Sequence, residues 1–409
     1  MNVRRVAFIS FHACPLAPPG QGKSGGMNVY VRELARSLGN LGVQVDIFTR
    51  THSDNNNKIE HISPLARVVH LPGGQPEESS EMPPEAPMQN HFDHLPHFLE
   101  ALRAFQRNNN LDYQLVHSHY WLSGWVGQAL ANEQQLPHVM TFHTLALIKL
   151  QSRAGEVEPK ERQHVERELI ASSQRIVAFS PHERDAMVRL YGADAGRIVL
   201  VSCGVDLSLF RPLDQKQSRE RLGLNGEKLV LYVGRLEPLK GLELLLHTAT
   251  QLEMCQDVRV LIVGGGSNGD RDVDRLRGIA RTLKVEDVFD FVGRVDQEDL
   301  PLYYNAADVC VVPSYYESFG LAALESMACG TPVVAARVGG LSTIIQHGWT
   351  GYLKSWRCPE AFAYSVEMII SNEKLQHSMG LAARRRAEGM GWDKVAAHIA
   401  RLYDTLPNN

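Results

Sequence analysis

The sequence predicts two doubly wound α/β domains. Three observations carry this. The length of 409 residues suits two or three domains at about 100–200 residues each. Short apolar runs alternate with stretches of helical periodicity, and the same alternation starts afresh in the second half. With 44% hydrophobic and 22% charged residues the composition is that of a globular protein, which excludes disordered, collagenous and coiled-coil chains. A net charge of -4 provides no global field for drawing in nucleic acid or an anionic membrane, so any anion has to be bound locally.

The first strand is expected over 6–10. A Pro/Gly-rich stretch over 15–26 follows, and then a helix from Asn28 whose apolar residues Val31, Leu34, Ala35, Leu38 and Leu41 recur at the helical period. Further strands are expected over 43–49, 68–71, 115–117, 138–142 and 175–179, with helical material between them. Such alternation argues a parallel sheet with helices on both faces. The stretch 73–90, rich in Pro, Glu, Ser and Gln, is read as a mobile surface loop because strand-like segments resume beyond it.

After Phe210, Arg211 and Pro212 a second series places strands over 229–233, 258–263, 288–292, 309–312 and 332–335. The boundary is set near Val205, where Gly204 and Pro212 punctuate the chain. Residues 1–205, joined by a C-terminal segment over 390–409 with an amphipathic helix over 394–406, form one expected domain, and 206–389 the other. Two such domains facing a central cleft would bind ligands outside the carboxyl ends of their strands. The apolar run near the N-terminus is too short for a signal segment or a membrane span. The six cysteines, Cys14, Cys203, Cys255, Cys310, Cys329 and Cys358, are scattered without disulfide or metal spacing, which reads as reduced thiols in the cytoplasm.

Four constellations could carry chemistry. Residues 20–28 form a glycine loop between the first strand and helix, where close backbone approach and a helix N-terminus favour an anion. Gly22, Lys23 and Ser24 look superficially like a phosphate loop, but neither the Walker nor the dinucleotide spacing is present, and a plain flexible loop competes. Arg235 and Lys240 flank a turn after the strand 229–233, where two cations could meet a diphosphate or simply be solvated. Glu317 falls in a loop after the strand 309–312, and Glu325 lies within the helix that starts near Gly320, amid Ala322, Ala323, Leu324 and Met327. A glutamate buried there needs a partner, which a pair of ligand hydroxyls would supply, whereas on the outer face it would be solvated. His117, His119 and His143 end first-domain strands, and hydrogen bonding by neutral imidazole outweighs a zinc reading because no acidic or cysteine ligand accompanies them. Asp270, Asp272 and Asp274 are read as a solvated acidic loop rather than a metal site.

Taken together these segments resemble the retaining glycosyltransferases of family 4, whose arrangement of two Rossmann-like domains is called GT-B. The most specific match is the E-x7-E motif from Glu317 to Glu325, supported by the run from Gly234 to Gly241. The resemblance implies that Glu325 holds the donor ribose, Arg235 and Lys240 the diphosphate, and Glu317 the transferred sugar. It implies further that Phe319, Gly320 and Leu321 present backbone amides, that Arg294 lies in the loop receiving the base, and that Gly25 and Gly26 approach the donor. His143 would hydrogen-bond the sugar.

Within the family, the first-domain motifs around His12, Met27, Asn28, Tyr120 and Thr144 are similar to the group of D-inositol-3-phosphate glycosyltransferases and sucrose-phosphate synthases. That likeness implies a phosphorylated sugar or cyclitol acceptor bound by Met27, Asn28, Tyr120, Thr144 and Arg162. In the sucrose-phosphate synthases glutamine is usual at the position of Met27, and the family's extra phosphate-binding lysine is missing from residues 74–84, where Ser79 and Ser80 stand instead. Arg162 itself lies where charges of both signs alternate over 161–168, a pattern equally fitting a solvated helix.

The expected activity is retaining transfer of a hexosyl or N-acetylhexosaminyl unit from a UDP-sugar to a small phosphorylated acceptor. Transfer from UDP-glucose to fructose 6-phosphate is the alternative, and a nucleotide-sugar binding protein without turnover is the alternative of another class. A metal or other cofactor is not expected, nucleic acid and stable membrane insertion are excluded as partners, and a homodimer is allowed.

Overall fold

The computed structural model describes residues 3–18, 25–51, 58–73, 89–153, 155–224, 226–252, 257–265 and 270–407. The chain divides into two units, Met1–Val201 with Trp392–Asn409, and Ser202–Gly391.

The first unit is built on an eight-stranded sheet of β1 (Arg5–Ile9), β2 (Gln44–Arg50), β3 (Ile59–Ser63), β4 (Ala66–Leu71), β5 (Leu115–His119), β6 (His138–Thr141), β7 (Arg175–Ala178) and β8 (Ile198–Leu200). Their order is β3-β4-β2-β1-β5-β6-β7-β8, and every pairing is parallel except β3 against β4. Val6, Ala7, Phe8 and Ile9 are all buried because helices cover both faces, which is why β1 reads as a continuous apolar run. Phe8 pairs with Ile47 on one side and His117 on the other. The order reverses at β1, so the carboxyl ends of β1 and β5 form a switch point, from which residues 10–14 and Tyr120 emerge. The last helix, Trp392–Asp404, packs on the helix Gly26–Asn40. The Trp392 ring lies 5.5 Å from that of Tyr30, and the Tyr403 hydroxyl meets His117 Nδ1 at 2.6 Å.

The second unit has a six-stranded sheet of β9 (Lys228–Val233), β10 (Val258–Val263), β11 (Phe289–Gly293), β12 (Val309–Val312), β13 (Val333–Ala336) and β14 (Gly351–Lys354). Its order is β11-β10-β9-β12-β13-β14, all parallel. Successive residues feed opposite cores. Leu231, Leu261, Cys310 and Val333 pack with Leu324 and Met327 on one face, while Val230, Ile262, Val311 and Val334 pack with Leu245 and Phe362 on the other. The switch point here lies between β9 and β12, and the stretches carrying Arg235, Lys240 and Glu317 leave from those two strands.

β3, β8 and β14 were not predicted. They are three to five residues long, and β3 and β14 carry exposed or half-buried polar residues, so neither run length nor burial marks them. The acidic-loop reading of Asp270, Asp272 and Asp274 is corrected. Asp270 caps the helix Arg271–Thr282 by accepting from Asp272 N at 2.9 Å, and Asp272 and Asp274 occupy its first turn, where the helix dipole favours carboxylates. Among the described residues, no helix is long and apolar enough to cross a membrane. Residues 74–88, which make up most of the expected mobile loop, lie outside the described residues.

Candidate active site

In the second unit the stretch after β9 and the loop after β12 are tied together before any ligand is considered. Tyr315 N donates to Leu239 O at 2.8 Å, and Lys240 Nζ donates to Glu317 Oε2 at 2.7 Å. Glu317 is fixed further by Gly320 N, 3.3 Å from Oε1, and by Ser314 Oγ, 3.4 Å from Oε2. Arg235 follows β9 directly, its carbonyl accepting from the buried Tyr232 hydroxyl at 2.6 Å and its guanidinium pairing with Glu237 at 2.5 Å. Two glycines allow the approach. A Cβ on Gly241, at φ +73, would sit 2.2 Å from Pro313 O, and one on Gly339, at φ +45, 1.9 Å from Glu317 O. Gly340 N then donates to Glu317 O at 3.0 Å. This Gly339–Gly340 support was missed from the sequence, although a glycine pair just past a strand was there to be noticed.

Glu325 sits in the helix Leu321–Ala328 and is only 7% exposed. Its Oε2 accepts from the buried Tyr304 hydroxyl at 2.8 Å, and burial pushes its carboxyl up to about 7. The solvated reading of Glu325 is thereby set aside, and Tyr304 is a partner that nothing in the local sequence announced. Arg294 follows β11, with its guanidinium 3.9 Å from Asp296. Phe319 is buried, and Leu321 opens the helix after Gly320, whose φ is +80.

In the first unit Gly25 precedes the helix Gly26–Asn40, and Asn28, buried, donates from Nδ2 to Cys14 O at 2.7 Å. Met27 is half-buried on the same turn. Residues 20–24, including the Gly22, Lys23 and Ser24 run, lie outside the described residues, as do 74–84. Tyr120 has φ 78 and ψ 156, a conformation natural to glycine, costing on the order of 1–3 kcal/mol in other residues. It is held there by Tyr120 N donating to Thr141 O at 2.9 Å and by Gly124 N donating to its carbonyl at 2.8 Å. The ring of His12 lies 4.3 Å from that of Tyr120. His143 is also left-handed, at φ 62.

Three buried histidines converge at the ends of β5 and β6. His119 Nδ1 and His143 Nε2 are 3.0 Å apart, and His117 is engaged by Tyr403 at Nδ1 and by Thr141 Oγ1, 2.8 Å from Nε2. Burial first, and the neighbouring imidazoles second, hold all three well below the ordinary histidine value, so they are neutral at physiological pH.

Arg162 is neither solvated nor open-handed. It is 1% exposed, and the solvated-helix reading of its alternating charges is corrected. Nε donates to Glu166 Oε1 and Nη1 to Glu158 Oε2, both at 2.7 Å, while Nη2 donates to Thr144 O at 2.8 Å and Thr144 Oγ1 at 3.0 Å. Its Cζ lies 4.9 Å from the centre of the Tyr120 ring, a cation–π contact. Lys149 pairs with Glu158, and Tyr191 donates to Glu166, so two cations and two carboxylates balance inside the unit. The structure thus brings Tyr120, Thr144 and Arg162 together, with the guanidinium serving protein atoms.

Comparison with known proteins matches residues 24–209 to Glycosyltransferase Family 4 and residues 214–386 to Glycosyl transferases group 1. The chain is 40% identical to D-inositol 3-phosphate glycosyltransferase 2 of Catenulispora acidiphila over 98% of its length and 94% of that protein's. It is also 40% identical to the D-inositol 3-phosphate glycosyltransferase of Frankia alni, covering 96% and 97% of the two chains. Among solved structures, the sucrose-phosphate synthase of Thermosynechococcus elongatus superposes with a TM-score of 0.88 at 35% identity, covering 98% of both chains.

Proposed function

Because the chain belongs to glycosyltransferase family 4 and has its two-domain GT-B fold, we propose that this enzyme moves a hexosyl or N-acetylhexosaminyl unit from a UDP-sugar to a small phosphorylated acceptor, with retention. Membership in the family sets aside the binding protein without turnover. The observation that carries the finer reading is the tethered set Arg235, Lys240, Glu317 and the buried Glu325, gathered by the loops and helix at one switch point. Two cations there suit a diphosphate, and a desolvated carboxylate held by Tyr304 suits vicinal hydroxyls.

In this reading the acceptor oxygen bonds to the anomeric carbon on the face from which UDP departs. The carbon–oxygen bond to the diphosphate breaks, and the acceptor's proton passes to the leaving phosphate oxygen. Arg235 and Lys240 stabilise the charge that grows on that oxygen, so no essential metal is required. Glu317 and the amides of Phe319, Gly320 and Leu321 hold the transferred sugar, His143 hydrogen-bonds it, and Arg294 lines the base loop. Gly25 and Gly26 let the backbone approach the donor, while Met27, Asn28, Tyr120 and Thr144, with Arg162 behind them, receive the acceptor. A cytoplasmic location belongs to the same proposal and is supported by the buried free thiols of Cys203, Cys310 and Cys329.

The likeness to sucrose-phosphate synthase supports a second reading, UDP-glucose to fructose 6-phosphate. One screen separates the two: UDP release from UDP-glucose and UDP-N-acetylglucosamine against inositol phosphate and fructose 6-phosphate, each with and without EDTA. Acceptor-dependent release with inositol phosphate, unchanged by EDTA, is the expected result. Release with fructose 6-phosphate alone selects the second reading, and release with neither overturns both.

Glu325 makes the donor pH-sensitive. Ribose hydroxyls donate to the ionised carboxylate, so UDP affinity should rise as pH increases through about 7. Folding runs the other way. A carboxyl raised from its ordinary 4.5 to about 7 contributes stability fully present below 4.5 and lost as pH rises through 7. Titration of UDP between pH 6 and 8 should show this slope in the wild type and lose it in Glu325→Gln. Glu325→Ala should raise the donor KM more than it lowers kcat, since ribose contacts are alike in ground and transition states.

A further inference from the structure

We infer that Tyr304 is a positioning residue for Glu325: its hydroxyl occupies Oε2, leaves Oε1 to the ribose, and keeps a carboxyl that is buried without a cation able to ionise. What this does for the donor rests on the proposed ribose contact, but the hold on Glu325 does not.

Burial alone would favour the neutral acid at Glu325. Among the described residues no lysine, arginine or histidine pairs with it, and its side chain has one hydrogen-bond partner, Tyr304. The other groups within reach of its charge are neutral or engaged elsewhere. Cys203, Cys310 of β12 and Cys329 at the end of the glutamate's helix all feel that charge, and burial holds the three thiols above their ordinary value. Arg384, whose field reaches Cys329, pairs with Glu388 and donates to the carbonyls of Phe210 and Ala328. Glu317, whose charge reaches Cys203, is paired with Lys240.

The phenol is therefore the group that favours ionisation. Burial first, and the charge of Glu325 second, hold Tyr304 well above the ordinary tyrosine value, so its hydroxyl stays protonated and donates to Oε2 at 2.8 Å. A hydrogen bond to an ionised carboxylate is stronger than one to the neutral acid, by a factor of roughly two. The hydroxyl thus opposes the effect of burial.

Tyr304 is well fixed for this task. Its ring packs edge-on against Phe210 with 6.0 Å between centres, and its carbonyl accepts from Thr331 Oγ1 at 2.7 Å. Thr331 is bonded in turn to the helix that carries Glu325: Thr331 N donates to Ser326 O, and Ser326 Oγ to Thr331 O, both at 3.0 Å. One set of bonds therefore holds the hydroxyl and the carboxylate to each other. With Oε2 engaged, Oε1 has no hydrogen-bond partner among the described residues and is the oxygen left for ribose hydroxyls.

The test reads Glu325 first without ligand. In protein labelled with 13C at the glutamate carboxyls, titration follows the Glu325 signal, which is identified by its loss in Glu325→Gln. The expected midpoint is near 7 in the wild type and about one pH unit higher in Tyr304→Phe, which keeps the ring and removes only the hydroxyl. Equal midpoints overturn the inference, whatever UDP does. The second measurement is UDP affinity. In Tyr304→Phe it should be about fivefold weaker at pH 7, as the ionised fraction falls, and nearly regained at pH 9. A loss that persists at pH 9 would be structural and would overturn the role. In a Glu325→Gln background Tyr304→Phe should leave UDP affinity unchanged, and a loss there equal to that in the wild type would likewise overturn it. If the wild type fails to bind UDP, the donor reading falls while the carboxyl titration still decides the hold of Tyr304 on Glu325.

Discussion

Lys240→Ala is expected to lower kcat roughly 10²–10³-fold, and Arg235→Ala by a similar factor, if each acts as a preorganised donor to the charge developing on the diphosphate. The geometry distinguishes the two variants. Lys240 is 22% exposed in its side chain and bonded to Glu317, whereas Arg235 is 35% exposed and paired with Glu237. Removing Lys240 also leaves Glu317 without its cation, so the donor KM should rise together with the fall in kcat. Removing Arg235 leaves only the half-exposed Glu237 unpaired, a contact worth about 0–1 kcal/mol, and its loss should appear mainly in kcat. Steady-state kinetics with the donor varied at saturating acceptor measures both. Near-normal kcat in either variant would remove that residue from the leaving-group site.

The sequence exposed the fold where strands are buried on both sides. β9 over 229–233 and β12 read as apolar runs, and β10 as one interrupted only by Arg259, because alternate residues enter two different cores, as Val230 and Leu231 do. β14 escaped because a four-residue strand with half-buried Tyr352 and Lys354 looks like a turn. The site divided along similar lines. Glu317 and Glu325 were legible because they share one loop and helix, and their spacing is visible in a single line of sequence. Tyr304 was not, because its bond to Glu325 spans separate helices and has no local periodicity. The histidines were legible as residues but not as a pair, since the His119 to His143 contact depends on the register of two strands. Arg162 shows the limit most plainly. The i,i+4 spacing of Glu158, Arg162 and Glu166 is the same whether a helix face meets water or protein, and only burial separates a weak surface pair from a stringent internal one.

That burial decides what Arg162→Ala should do. Glu158 and Glu166 would be left inside the first unit with their charges uncompensated. Breaking a buried pair in this way costs about 3–5 kcal/mol, a fall in melting temperature of roughly 6–20 °C for a unit of this size. Arg162→Lys should recover part of the loss, because an ammonium restores charge but cannot reach Glu158, Glu166 and Thr144 as a fork. Thermal unfolding of both variants measures this, and a melting temperature within a degree of the wild type in Arg162→Ala would mean that the ion network does not hold the unit together. The effect on specificity follows from the same contacts. Arg162 holds Thr144 through two hydrogen bonds and lies against the Tyr120 ring, so its removal should loosen both groups proposed to receive the acceptor phosphate. Measured well below the melting transition, kcat/KM should therefore fall further for a phosphorylated acceptor than for its unphosphorylated analogue, and the two should become nearly equivalent. The ratio of the two acceptors in wild type and variant isolates the interaction from any general loss of active protein. An unchanged ratio would place the phosphate elsewhere, and since residues 74–84 contain no lysine to hold it, a neutral acceptor would then be the better substrate class.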